Sequence, residues 1–434
     1  MENLSQTGQA GTKILFKNIR ELVTMTPMTQ SGYSVCKSHE DLGIMENAWM
    51  LIDGSKVQAT GSGSVPDEIL SDPSIETIDT QGSLVMPGLV DSHTHPVFAG
   101  NRSQEFAMRL NGLSYQDIAA QGGGIRSSMA NTRQADSESL ANALTAHLNQ
   151  FMCWGVTTAE VKTGYGLSVD EELRQLRIIK QLKSRSQVHM VSTLLALHAL
   201  PPEFSTYQDY VSHISDQLLP VVAREQLAEF TDVFIENGYF QVDHCERYME
   251  KARELGLGIR VHADEFSDAG GASAAARWGA ASADHLQFAS DSGLKEMAEA
   301  RVTATILPGT SLYTAIPFSN GRRMADAGCA VAIASDFNPG SCYISNLPML
   351  AALAGLHGKL KTWEVIAAIT YIPARSLNIC HRKGALAKGY DSDFLIHPAG
   401  DHYAWLADMG QTRPTGDKTK LDKQCCTCVI VSGK

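Results

Sequence analysis

The stretch Leu84-Val85-Met86-Pro87-Gly88-Leu89-Val90-Asp91-Ser92-His93-Thr94-His95-Pro96 is an apolar run that ends in two histidines one residue apart. The run reads as a buried strand, and its polar tail marks the C-terminal mouth. Alternate residues of a strand face the same side. His93 and His95 therefore both face one point, while Thr94 faces away. A histidine pair delivered in this way is a metal signal when distant ligands complete the shell.

Downstream, apolar strand candidates alternate with helical patterns. The candidates end at His95, near Val161, and at His198, Glu236, Asp264, His285, Leu307 and Asp336. One intervening helix announces itself by the capping box Ser168-Val169-Asp170-Glu171, followed by Leu173, Leu176, Ile179 and Leu182 at helical spacing. Alternation of this kind predicts a parallel sheet, and eight units predict a closed (β/α)8 TIM barrel, whose C-terminal mouth carries the active site. The two ends of the chain differ from this middle. Residues 13–18 and 46–60, with Asp53-Gly54 as a tight turn, read as strands, as do Asp393–Ile396 and Cys428–Val431. They predict a small β-sandwich domain built from both termini, with the polar stretch Gly410–Gln424 as a loop. The expected division is 1–83 and 379–434 for the small domain and 84–378 for the barrel.

Composition sets outer bounds. The chain has 434 residues, 44% of them hydrophobic and 19% charged, and a formal net charge of -11. That charge argues against a nucleic-acid surface. No apolar stretch is long enough to span a bilayer. Residues Met1 to Thr12 lack the pattern of a signal peptide. The nine cysteines are mostly scattered, which suits a reducing cytoplasm. Cys425, Cys426 and Cys428 cluster, but partners for a second zinc site are missing nearby, so they read as plain thiols.

Four residues are the candidate metal ligands: His93, His95, His262 at the end of the fifth strand, and Asp336 at the end of the eighth. Alone, His262 reads as a structural histidine and Asp336 as a helix cap; together with the pair they read as one site. Three imidazoles and one carboxylate suit one zinc or iron ion rather than magnesium or calcium. Such an ion lowers the pKa of a bound water from about 16 toward about 7. Glu265, three residues after His262, stands where a carboxylate can relay a proton, the alternative being a surface glutamate. His285 is a candidate stabiliser of a developing oxyanion, or else a buried structural histidine. Its neighbour Asp284 is expected to face the helices. Lys162 belongs to the second strand and Glu236 to the fourth, so no lysine stands where a carbamate would bridge two metals. Glu236 reads as a structural ion pair, with a bridging role as the alternative.

Substrate contacts belong in the loops. Arg102 can grip a carboxylate with two parallel bonds. The loop Gln121-Gly122-Gly123-Gly124 offers backbone amides to an anion or is a simple turn. Tyr165 lies on a glycine-flanked loop, His198 ends the third strand, and Asn338, Gly340 and Ser341 follow Asp336 directly.

The stretches Pro87–Pro96, Gly122–Ile125, Lys162-Thr163-Gly164-Tyr165-Gly166-Leu167, His262-Ala263-Asp264-Glu265 and Ser335–Gly340 resemble the motifs of the amidohydrolase superfamily. They are most similar to those of its imidazolonepropionase family in histidine degradation. The resemblance implies hydrolysis of 4-imidazolone-5-propanoate to N-formimino-L-glutamate by a zinc or iron enzyme, and a homodimer. It implies His93, His95, His262 and Asp336 as ligands, Glu265 near the hydrolytic water and His285 as the carbonyl-polarising group. Arg102, Tyr165, His198, Glu265, Asn338, Gly340 and Ser341 would meet the substrate, and Asp336 would pass a proton to the departing nitrogen. A deaminase of a purine, pyrimidine or related heterocycle would use the same metal ligands. An anion grip made by Arg102 with Tyr165 separates the two, because it suits a propanoate and not a neutral base.

Overall fold

A computed structural model describes residues 13–30, 35–113, 117–118, 122–411 and 428–430. The leader reading at Met1 to Thr12, Gln121, Cys425, Cys426 and most of the predicted 410–424 loop lie outside them.

The small sheet begins with β1 (Lys13–Val23), β2 (Ile44–Asp53), β3 (Lys56–Ser62), β4 (Ile75–Asp79) and β5 (Leu84–Pro87). It ends with β14 (Phe394–His397) and β15 (Cys428–Ile430). These seven strands form one connected sheet in the order β15-β14-β5-β1-β2-β3, with β4 on β1. Asp53 pairs with Lys56 across the expected turn. One face of this sheet packs Phe16, Met50 and Phe394 together, and the other packs Leu15, Trp49 and Leu51.

The barrel strands are β6 (Leu89–Asp91), β7 (Val156–Lys162), β8 (His189–Leu197), β9 (Phe230–Ile235), β10 (Gly258–Ala263), β11 (Ser282–His285), β12 (Thr303–Ile306) and β13 (Val331–Ile333). They pair in sequence order, all parallel. The cylinder closes where Asp336 N donates to His93 O at 2.9 Å and His95 N donates to Phe337 O at 2.8 Å. All eight foreseen strands are present; six end within one residue of the expected place, while β6 stops at Asp91 and β13 at Ile333, short of His95 and Asp336.

The opening stretch is divided rather than continuous. Leu84–Pro87 pairs with β14 and β1 of the small sheet, and only Leu89–Asp91 enters the barrel. The expectation that the barrel begins at Leu84 is corrected accordingly. Pro87 brings no N–H to a ladder. At Gly88 a Cβ would stand 2.3 Å from Thr157 Oγ1, so the chain changes sheets at a point that only glycine fits. Beyond β6, Lys162 N donates to Thr94 O at 3.0 Å. The Ser92–His95 segment thus stays extended between β7 and β13, and Thr94 Oγ1 turns outward to the Glu160 carbonyl. That geometry sends both histidines inward.

Candidate metal centre and catalytic site

Four donor atoms converge at the mouth of the barrel. His95 Nε2 lies 3.2 Å from His93 Nε2 and 3.3 Å from His262 Nε2. Asp336 Oδ1 is 3.4 Å from Nε2 of both His93 and His95. Ligands held about 2.0–2.2 Å from a common centre at tetrahedral angles stand about 3.3–3.6 Å apart, close to these four separations. Two overlapping groups could hold a metal ion: His93, His95 and Asp336, and His93, His262 and His285.

Carboxylates orient two of the rings from outside. His93 Nδ1 bonds Asp284 Oδ2 at 2.7 Å, and His262 Nδ1 faces Asp232 Oδ2 at 3.0 Å. A proton on each of these outer nitrogens would leave Nε2 as a ligand for a bound ion. With no ion between the rings, burial and the Lys162 charge work against charging His93, but Asp284 and Asp336 outweigh them and raise it to about 9. Burial also drives His95 down to about 3, keeping it neutral, as a ligand requires. For Asp336 burial works toward protonation, but the bonds from His93 and His95 outweigh it and hold the carboxyl well below its usual range. Thr310 Oγ1 donates to its other oxygen.

Above this cluster opens a narrow cleft with a cavity volume of about 40 Å³. It is lined by His95, Arg102, Tyr165, His198, His262, Glu265, His285, Asp336, Asn338 and Ser341, with Ile125, Phe234 and Phe266 as apolar walls. Of the residues singled out in the sequence, His93 lies beneath the floor and Gly340 lies against the Arg102 guanidinium. Glu265 faces His285, Oε1 to Nδ1, at 3.7 Å. Burial raises the Glu265 carboxyl well above its usual value, and the Asp336 and Glu236 charges add to the effect. Burial likewise holds His285 and His198 well below the usual imidazole value. His198 Nδ1 bonds Gly164 O at 3.0 Å, leaving Nε2 as an acceptor.

The profile of the amidohydrolase family matches residues 106–434. The imidazolonepropionase of Bdellovibrio bacteriovorus is 41% identical over 384 residues, covering 88% of this chain and 90% of its own. That of Symbiobacterium thermophilum is 40% identical over 404 residues, covering 92% and 93%. The chain belongs to the amidohydrolase family. Among solved structures, the zinc complex of atrazine chlorohydrolase TrzN from Arthrobacter aurescens TC1 matches with a TM-score of 0.65 at 18% identity. It covers 88% of this chain and 86% of that one, a likeness of fold.

In this amidohydrolase three expectations change. Asp284 faces into the barrel, not toward the helices, because it pairs in register with the inward-facing His262; His285, at φ 81°, then swings inward as well through a left-handed turn. Alternation therefore fails at the last residue of β11. Glu236 makes no ion pair among the described residues. Its Oε2 accepts from Phe266 N at 2.8 Å and its Oε1 from Asn237 N at 2.8 Å, so it holds the loop that carries Glu265. Two of the glycine-loop amides do not stand open. Gly123 N donates to Ile118 O at 3.1 Å, and Gly124 N donates to the chain's own Glu105 carboxylate at 3.1 Å.

Asn338 has all four hydrogen-bonding positions engaged within its loop. Nδ2 donates to Asp336 O at 2.7 Å and Ser341 Oγ at 2.8 Å, while Oδ1 accepts from Gly340 N at 2.8 Å and Ser341 N at 2.7 Å. Its side chain shapes the loop that presents Ser341. Asp264, next to Glu265, accepts from Gly271 N and Ala272 N at 2.9 Å each and anchors the following helix, Gly271–Trp278.

Sequence reasoning also missed the residues beneath the site. Lys162 Nζ bridges Glu160 Oε1 at 2.9 Å and Asp232 Oδ2 at 2.6 Å. Arg260 Nε lies 2.9 Å from Glu160 Oε1, and its Nη2 lies 3.4 Å from Asp284 Oδ2. All five side chains are wholly buried, and their chain of contacts joins His262 to His93 from below. A signal existed: Glu160 and Lys162 occupy alternate positions of an otherwise apolar strand, which is how paired charges enter a barrel interior.

Proposed function

We propose that the chain hydrolyses the cyclic amide of 4-imidazolone-5-propanoate to N-formimino-L-glutamate, as the names of its relatives at about 40% identity suggest. The observation that carries the proposal is the convergence of His93, His95, His262 and Asp336 at ligand spacing beneath a cleft lined by Arg102, Tyr165 and Glu265. These four residues would hold one zinc or iron ion. When bound, that ion would acidify a water and draw charge from the ring carbonyl.

The rest of the chemistry falls to the chain. The raised Glu265 carboxyl suits a group that takes a proton from the attacking water at Oε1 and returns it to the leaving ring nitrogen. His285, kept neutral by burial, would donate a hydrogen bond to the carbonyl oxygen as charge develops there. Asp336 would take the water's second proton as the carbonyl re-forms and pass it to the departing nitrogen, which leaves protonated beside the new carboxylate. Arg102 would hold the propanoate, with Tyr165, His198 and Ser341 around the ring, while Asn338 and Gly340 would keep that loop in place. This carboxylate grip favours the propanoate substrate over a neutral purine or pyrimidine. Among the described residues no helix is long and apolar enough to cross a membrane.

The purified protein should convert 4-imidazolone-5-propanoate to formiminoglutamate and carry about one metal ion per chain by elemental analysis. Turnover of a purine or pyrimidine base in its place would reject the assignment.

A further inference from the structure

We infer that Glu105 is the positioning residue of the carboxylate subsite, holding the Arg102 guanidinium in the orientation that receives the substrate anion. The inference rests on the reading of Arg102 as the anion grip and adds a residue that reading does not contain.

Glu105 lies on the helix Ser103–Leu110, three residues after Arg102. Its Oε2 accepts from Arg102 Nε at 2.8 Å and stands 2.7 Å from Arg102 Nη2. Its Oε1 accepts from Gly124 N at 3.1 Å. An exposed pair at this spacing would contribute little. This one is buried, with Arg102 and Glu105 each 7% exposed, and two loops depend on it. A Cβ on Gly340 would stand 1.7 Å from Arg102 Nη1, so the guanidinium lies between the carboxylate of Glu105 and bare backbone.

Arg109, further along the same helix, donates from Nη1 to Gly340 O at 2.9 Å. Two guanidinium groups thus flank one glycine.

A carboxylate is needed at position 105 because both of its oxygens accept. An amide offers one acceptor and one donor. Facing Arg102 with its oxygen, it would oppose Gly124 N–H with N–H groups; turned round, it would oppose the guanidinium. Glu105→Gln therefore has to release one of the two loops, whereas Glu105→Asp keeps the charge and both acceptors but retracts the fork by one methylene.

The test compares 4-imidazolone-5-propanoate with its side-chain amide, which lacks the anion. Glu105→Gln is expected to raise KM for the acid about tenfold, with a smaller change in kcat, and to lower the preference for acid over amide by about the same factor. Glu105→Asp should lower that preference in the same direction by less, and it decides the matter if Glu105→Gln does not fold. A preference equal to wild type in the folded variants overturns the role of Glu105. Arg102→Ala, run alongside, separates the two readings. If it also leaves the preference intact, the carboxylate grip itself fails; if it abolishes the preference while the Glu105 variants do not, only the positioning role fails.

Discussion

At the scale of single residues, the site divides between groups that hold and groups that react. Glu265 reacts in the proposed mechanism, and burial gives it the proton affinity for the task. Glu265→Gln should lower kcat by about 10²–10⁴-fold, the usual worth of a positioned acid–base group. Metal content should be unchanged, since Glu265 lies outside the ligand cluster; elemental analysis beside steady-state kinetics checks both. Gly340 only makes room. Gly340→Ala puts a methyl group where the Arg102 guanidinium lies. A marked rise in KM for the propanoate substrate is expected, and an unchanged KM would mean that Arg102 moves without cost. Sequence alone named the residue types that gather at the strand ends. It did not reveal that Asn338 spends every hydrogen bond on its own loop, because those bonds depend on how four consecutive residues fold back.

At the scale of elements, strand endings carry the chemistry. The chain leaves β10, β11 and β13 through Asp264 (φ 54°), His285 (φ 81°) and Asp336 (φ 52°), all left-handed. Such turns cost about 1–3 kcal/mol each, and here they aim side chains over the cluster. The Lys162–Leu167 loop shows the same economy of space. A Cβ at Gly166 would stand 2.7 Å from Gln175 Nε2 and 2.8 Å from Glu172 N. Glu172 Oε1 accepts from Gly166 N and Leu167 N at 2.8 Å each, pinning the loop to the helix Val169–Lys183. Gly166→Ala should therefore destabilise the fold by about 1–3 kcal/mol, the range for overpacking, as measured by denaturant unfolding. The interior face of the barrel yields a separate prediction. Asp284→Asn keeps an acceptor for His93 Nδ1 but removes the charge paired with Arg260. Metal affinity should fall about 10–100-fold in a chelator competition. An unchanged affinity would make that carboxylate a packing group only. The capping box and the eight apolar runs were legible because they are local. That Asp284 and His285 both face inward was not, because alternation gives that face to only one of two neighbours and His285 reaches it through a left-handed angle.

At the scale of the whole molecule, acid stability follows from buried neutral histidines. His189, at the start of β8, is lowered to about 4 by burial and then by the Lys383, Arg382 and Lys183 charges. His397, at the end of β14, is lowered to about 4 by burial. Between about pH 4 and 6.5 the unfolded chain binds more protons at these sites than the folded one, so stability rises with pH across that window. The loss is absent above about pH 6.5 and grows to on the order of 3 kcal/mol per histidine as the pH falls to about 4. Urea midpoints should fall as the pH is lowered from 6.5 to 4, and His189→Gln should flatten the slope; a flat wild-type profile would contradict the assignment.

The amino-acid order by itself determined the number of barrel strands, the small domain drawn from both ends, and the residue types at the mouth. Each of these is written in local periodicity, in apolar runs and in short spacings. Only the tertiary structure decided which charges meet. Glu160, Lys162, Asp232, Arg260 and Asp284 come from four strands and touch only when the cylinder closes. Likewise Pro87-Gly88 hands the chain from one sheet to another because Thr157, far along the sequence, leaves no space for a side chain there. Contacts between distant strands depend on register and closure, and no stretch of sequence carries that information alone.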